Sequence, residues 1–217
     1  MRGTTEEYRG LIKLLTESHI MFDVVEASVI GTERMPKKLQ EYDVVITGDV
    51  TNLDEKVISF LDAYINQGGH LLSTGFTSTR DGQGNQMNRI RMKSIGVEEK
   101  YDVFKQAKST YLVISDKDKE ALGNNAFASH DLVMMYSDYL KCKVKPDATS
   151  YLKLLPQTMF GPPEKSYYLN ADITDYPGVV YYEYGKGRSV YIPWMLGAQY
   201  NFKGNIAHKK LFVSVLE

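Results

Sequence analysis

The sequence predicts an α/β fold, a mostly parallel sheet between helices, and three observations carry that prediction. Residues Tyr42–Ser78 read in order as strand, turn, amphipathic helix, glycine stop, strand and polar loop, which is a βαβ unit. Residues 178–193 read as two strands around Gly185-Lys186-Gly187, a β-hairpin with a short loop. A length of 217 residues and an apolar fraction of 43% suit one domain with a real core and exclude disorder as a description of the whole chain. In open α/β sheets ligands bind beyond the carboxyl ends of the strands. The turns after Gly48 and around Gly75 are therefore the first places to look for function.

Each element has its own local signal. Thr4-Thr5-Glu6-Glu7 has the form of a capping box, with the Thr4 hydroxyl and the Glu7 carboxylate placed to satisfy orphan backbone donors. Tyr8, Leu11, Ile12 and Leu15 follow at helical spacing. Phe22–Val25 reads as a short strand. Asp43–Thr47 reads as a stronger one, because Val44, Val45 and Ile46 are three consecutive β-branched residues, as in strands buried on both faces. A helix starting near Thr51 or Asn52 puts Val57, Phe60, Leu61 and Tyr64 on one face, and Gly68-Gly69 ends it. His70–Thr74 is the next strand. Thr77–Asn88 is polar and aperiodic and makes a loop of the kind that is functional or mobile. Thr110–Ser115 and Tyr151–Leu155 are further strands. Asp131–Leu140 fits either a short helix or a strand, and Met134-Met135 tilts it towards helix. Pro193 ends the second hairpin strand, since it has no N–H for a ladder. A last helix begins near Asn205, with Leu211, Phe212 and Val215 apolar.

Composition excludes several functions. A net charge of −1 with scattered basic residues gives no nucleic-acid footprint. The densest group, Arg89-Ile90-Arg91-Met92-Lys93, is short enough to be a solvated face. A lone cysteine, Cys142, rules out an intrachain disulfide and a cysteine-based metal cluster. The opening MRGTTEEYRG has no apolar core of a signal peptide, and no apolar run approaches the roughly 20 residues that cross a bilayer. As written, the chain is expected to be cytoplasmic, an expectation that a missing N-terminal portion would void.

The run YDVVITGDVTNLDEKVISFLDAYINQGGHLLSTGFTSTRDGQGN, with Ile95-Gly96-Val97 after it, resembles the class I glutamine-amidotransferase-like domain of bacterial glycoside hydrolases. That domain is the trimerisation domain of bacterial β-galactosidases, and a related one occurs in α-fucosidase-like glycosyl hydrolases. The run YPGVVYYEYGKGRSVYIPWMLGAQY is similar to the hairpin and aromatic-rich loop of the same domains. The resemblance implies a flavodoxin-like three-layer αβα sandwich over residues 1–217 as a single domain. It also implies an appendage to a sugar-cleaving barrel, for which 217 residues leave no room. Such domains open with a strand before the first helix, whereas this chain opens at the helix. The first strand is therefore expected to be missing, and the edge near Phe22–Val25 to be unusual or to lie at an intermolecular contact.

The amidotransferase elbow needs a cysteine on a tight turn, activated by histidine and a carboxylate. Gly75-Phe76-Thr77 stands at that position, so no catalytic residue is assigned. Cys142 lies in a later segment, between two lysines. A triad from Thr77 or Ser78 with His130 or His208 lacks the G-x-S-x-G elbow, and the four histidines, His19, His70, His130 and His208, share no ligand spacing. Asp81-Gly82-Gln83-Gly84-Asn85 lacks the alternating acids and terminal glutamate of a calcium loop. No metal or cofactor is expected. No two of the loop acids Asp81, Glu164, Asp172 and Asp175 form a recognisable hydrolytic pair. The aromatic residues of the last third, Tyr167, Tyr168, Tyr176, Tyr181, Tyr182, Tyr184, Tyr191, Trp194 and Tyr200, suit core packing first, then an interface, then stacking on sugars.

These readings converge on a non-catalytic accessory or assembly domain related to carbohydrate-active enzymes. It would act through homo-oligomerisation, beside a glycoside hydrolase barrel, or by lending Thr77–Asn88 and Pro193–Lys203 to a neighbouring sugar site. The alternative is a small hydrolase or carbohydrate-binding protein using the crevice at the strand ends. The residues expected to line that crevice are Asp49, Thr77, Ser78, Arg80, Asp81, Trp194 and Tyr200.

Overall fold

A computed structural model of the chain describes residues 2–35, 37–123, 127, 129–156, 164 and 172–217. Helix α1 covers Arg2–Glu17. After strand β1 (Val45–Gly48) come helix α2 (Glu55–Asn66) and strand β2 (His70–Thr74). Strand β3 runs over Val97–Val113, helix α3 over Asp116–Ala121, strand β4 over Leu132–Val144 and strand β5 over Thr149–Leu155. Strands β6 (Pro177–Tyr184) and β7 (Gly187–Ile192) lead into helices α4 (Leu196–Lys203) and α5 (Ile206–Ser214).

One seven-stranded sheet joins these strands in the order β1-β2-β7-β6-β5-β3-β4. The predicted βαβ unit is present, with β1 and β2 parallel, and β7 extends it in parallel on the far side of β2. The remaining four pairings are antiparallel. The mixed α/β class stands, but the sheet is mostly antiparallel and departs from the expected parallel, flavodoxin-like sandwich.

The parallel part is covered on both faces because its strands alternate. Leu72 joins a core with Leu11, Leu14, Ile192, Leu196, Leu211 and Phe212 from α1, β7, α4 and α5. Leu71 points the other way, into a core with Val57, Ile58, Leu61 and Ile65 of α2. Beyond β7 the sheet curls, so that its last strand returns to the segment after β7. The Leu140 amide donates to the Pro193 carbonyl at 2.8 Å, and Tyr139 bridges Trp194.

Several sequence expectations are corrected. In the segment Asp131–Leu140, residues from Leu132 on belong to strand β4, not to a helix. Phe22–Val25 forms no strand; Phe22 and Val24 are exposed between α1 and a 3₁₀ turn at Ala27–Val29. Strand β1 is the sheet's edge and is half-buried rather than enclosed on both faces. The capping box is not used. Helix α1 begins at Arg2, and Thr4 and Glu7 make tertiary contacts instead. Residues 196–203, read as loop, form α4. His208, in the first turn of α5, is buried in the core. Tyr167 and Tyr168 lie outside the described residues.

Candidate functional site

The site predicted by topology lies where β1 and β2 end. The chain leaves β1 through Asp49, whose backbone is left-handed at φ 51°, and leaves β2 through Gly75 at φ 61°. A side chain at Gly75 would place its Cβ 2.5 Å from Asp49 Oδ1, so the two turns can meet only if that residue is glycine. The amide of Asp49 donates to the Thr74 carbonyl at 3.1 Å, and that of Gly75 to the Ile192 carbonyl at 2.9 Å. Gly75 therefore makes a sharp, left-handed turn at the end of β2 that carries no side chain and leads into a loop, not a helix.

Two carboxylates sit beneath these turns. Asp49 is 4% exposed; its Oδ1 accepts from the Phe76 amide at 2.7 Å and its Oδ2 from the Thr4 hydroxyl at 2.8 Å. Burial pushes its carboxyl up, against those donors and the nearby Arg80 charge. Glu7 is fully buried. Its Oε1 accepts from the Thr74 hydroxyl at 2.6 Å and its Oε2 from the Ala198 amide at 2.7 Å. Burial, with a smaller contribution from the Asp49 charge, lifts Glu7 to about 7. A carboxyl tuned to neutrality is often a general acid or base. Here both oxygens are enclosed and engaged, so Glu7 ties α1 to β2 and α4 and has no route to a substrate.

The structure brings some of the predicted crevice residues together, though not as an open crevice. Thr77 and Ser78 follow Gly75 and are fully buried. The Thr77 hydroxyl donates to the Thr74 or Thr47 carbonyl, at 2.8 and 3.0 Å, and accepts from the Val50 amide at 3.2 Å. Ser78, left-handed at φ 60°, accepts the amides of Met92 and Arg91 at 3.2 and 3.3 Å. These hydroxyls stitch the two turns to the following loop and are not poised for attack. The Arg80 amide donates to the Thr51 carbonyl at 2.9 Å, leaving its exposed side chain near Asp49. Asp81 Oδ1 caps the amides of Asn85 and Gln83 at 2.8 and 3.0 Å, and the Asn85 contacts hold its carboxyl below the usual carboxylate range.

The Trp194 carbonyl accepts from the Gly75 amide at 3.2 Å, but its side chain turns away from the strand ends, and Tyr200 lies elsewhere. Trp194 is fully buried, donates its indole N–H to the Gly178 carbonyl at 3.0 Å, and packs against the His208 ring at 5.6 Å. The Tyr200 hydroxyl donates to Glu17 at the far end of α1 from Thr4, roughly 20 Å along the helix. Neither faces the strand ends. Sequence reading missed Glu7 as a core acid, although its place beside Leu11, Leu14 and Leu15 on one helical face was a signal.

Cys142 is buried, which pushes its thiol up to about 12. Among the described residues there is no group of acids, histidines and cysteine that could hold a metal ion. No helix among them is long and apolar enough to cross a membrane.

No protein-family model matches the chain, and no curated protein does. Solved structures do match. The β-galactosidase from Bacillus circulans sp. alkalophilus aligns with a TM-score of 0.66 at 12% identity, over 98% of this chain and 26% of its own. The α-L-fucosidase isoenzyme 2 from Paenibacillus thiaminolyticus gives 0.63 at 19% identity, over 94% of this chain and 28% of its own. A cytoplasmic protein from Salmonella typhimurium gives 0.63 at 15% identity, over 95% of this chain and 84% of its own. The chain thus spans 26–28% of the two glycoside hydrolases and most of the Salmonella protein. At these identities the likeness is one of fold: the chain is built like one part of several glycoside hydrolases.

Proposed function

We propose that the chain is a non-catalytic accessory or assembly domain related to those of carbohydrate-active enzymes. The observation that carries this reading is the fate of the turn at Gly75–Ser78. It occupies the place where the resembling amidotransferases hold a nucleophile, and its hydroxyls serve the loop's own backbone. The match to about a quarter of the length of two glycoside hydrolases supports a domain that works beside a catalytic one.

Assembly would run through the β1 side of the sheet, with a second copy as partner. Edge strands of soluble proteins are usually guarded by shortness, charge, proline or a bulge. Val45-Ile46-Thr47-Gly48 is short but carries no charge, proline or bulge, and among the described residues its outer edge has no strand neighbour in the sheet. Exposed Met21, Phe22 and Val24 lie close by, held through Asp23, which accepts from the Tyr42 hydroxyl at 2.9 Å. Light scattering of the purified chain tests the reading. A mass that is a multiple of 24.7 kDa, reduced to the monomer by Phe22→Glu with Val24→Glu, is expected. A strict monomer at every concentration, or turnover of nitrophenyl glycosides by the chain alone, would count against it.

A further inference from the structure

The sheet ends in β1 on one side and β4 on the other, and the structure treats these two edges differently. Along β4 the outward backbone groups are met by side chains and a stretch of loop instead of a strand. The Tyr136 amide donates to Gln199 Oε1 at 3.1 Å, and the Tyr136 carbonyl accepts from Gln199 Nε2 at 2.7 Å. One side-chain amide thus makes the pair of bonds that a residue of a neighbouring antiparallel strand would make. The Tyr136 hydroxyl adds a third bond, donating to the Gln199 carbonyl at 3.1 Å. Two residues earlier the Met134 carbonyl accepts from His208 Nε2 at 2.7 Å, and four residues later the Leu140 amide donates to the Pro193 carbonyl. Gln199 and His208 are both buried, and the Ala198 amide on Glu7 fixes the turn of α4 that carries Gln199.

Strand β1 has no such cover. The Asp49 amide donates to Thr74, and alternate residues of a strand present their backbone groups to the same neighbour, so Val45 and Thr47 also face β2. Ile46 and Gly48 then face outward, and their amides and carbonyls have no hydrogen-bond partner among the described residues.

We infer that Gln199 and His208 stand in for an eighth strand and keep β4 from pairing with a second copy of the chain, so that two copies join edge to edge only as β1 on β1. The seal on β4 stands on its own hydrogen bonds, whereas the pairing rests on the assembly proposed above. A sheet edge attracts another strand because its donors and acceptors are unpaired. On β4 that gain is already taken. Pairing β1 with β4 would be head-to-tail and could run on as a filament, whereas β1 on β1 uses the same patch of both copies and closes at two.

Light scattering and hydrogen exchange of the whole chain test this. The parent is expected at twice 24.7 kDa, with nothing larger as concentration rises. Gln199→Met keeps the volume but leaves the Tyr136 amide and carbonyl unpaired. That amide should exchange about tenfold faster or more, and the variant, with two open edges, should form species larger than two chains. Gln199→Asn, too short to reach both groups of Tyr136, is the milder opening should the methionine variant not fold. Adding Phe22→Glu with Val24→Glu blocks the β1 side and should return Gln199→Met to no more than two chains. Folded variants with the parent's mass and the parent's exchange at Tyr136 would overturn the seal. A parent that grows beyond two chains would overturn the two-fold pairing. A strictly monomeric parent would instead sink the assembly reading and the pairing with it, while association of Gln199→Met from that monomer would still support the seal.

Discussion

The carboxylate of Glu7 and the hydroxyl of Thr74 meet at 2.6 Å inside the protein, and only neutral donors serve that carboxylate. The contact joins α1 to β2, and the other oxygen joins both to α4 through the Ala198 amide. A charge in that place is costly, because burial favours the protonated acid.

A pH dependence of stability follows, and its sign is set by the direction of the shift. Glu7 titrates near 7 when folded and near 4.5 when free, so between those values the folded state holds a proton that the unfolded state has released. The contribution of Glu7 to stability is then greatest below about 4.5, falls as pH rises towards 7 and levels off above it. The fall from this residue is on the order of 3 kcal/mol. Glu7→Gln keeps an acceptor for the Ala198 amide, turns an amide donor towards the Thr74 hydroxyl, which then accepts instead of donating, and has no proton to lose. Urea melts of both proteins from pH 4.5 to 8 should show the slope in the parent and much less of it in the variant. In the variant the raised Asp49 carboxyl leaves a slope of the same sign, while the buried His208, held below the usual imidazole range, adds one of opposite sign below about 6.5. Identical pH profiles would contradict this account.

The second prediction concerns the crossing of α1 and α4. A Cβ at Gly10 would overlap the carbonyl oxygen of Gly197, so the two backbones touch where any larger residue would separate them. Two effects oppose each other in Gly10→Ala. The helix gains about 1 kcal/mol from the better helix former, while overpacking a rigid contact costs about 3 kcal/mol. The clash should win. A net loss of about 2 kcal/mol in chemical denaturation is expected. A gain would show that the helices can part at no cost.

How far the sequence reveals this fold depends on whether local pattern and tertiary environment agree. At His70–Thr74 they do: apolar residues alternate between two cores, and the predicted strand has the observed ends. In β3 and β4 they do not. Gln106 and Ser137 have positive φ, and the ladder slips between Phe104 and Ala107 and again before Thr110. Each slip shifts the inward-facing residue by one, so the period of two that marks a strand is lost. Helix α4 was hidden for a different reason. Leu196, Gly197, Gln199 and Tyr200 are all buried, leaving no polar stripe to set a helical period. The turns that end β1 and β2 were legible at Gly48 and Gly75, but the partners of the side chains beside them were not. Thr77 and Ser78 look reactive in sequence, and only the structure gives their hydroxyls to backbone partners.

The third prediction uses Trp194, the sole tryptophan of the chain. Expected at first to face a ligand crevice, it lies instead fully buried where the curled sheet meets itself, with its N–H on the Gly178 carbonyl. Its fluorescence should therefore be blue-shifted, resist quenching by iodide, and stay unchanged when sugars are titrated in. Trp194→Phe should cost about 2–4 kcal/mol, because it leaves the buried Gly178 carbonyl without its donor and opens space beside Tyr139 and His208. Sugar-dependent emission from the parent protein would return Trp194 to the ligand site and reverse this placement.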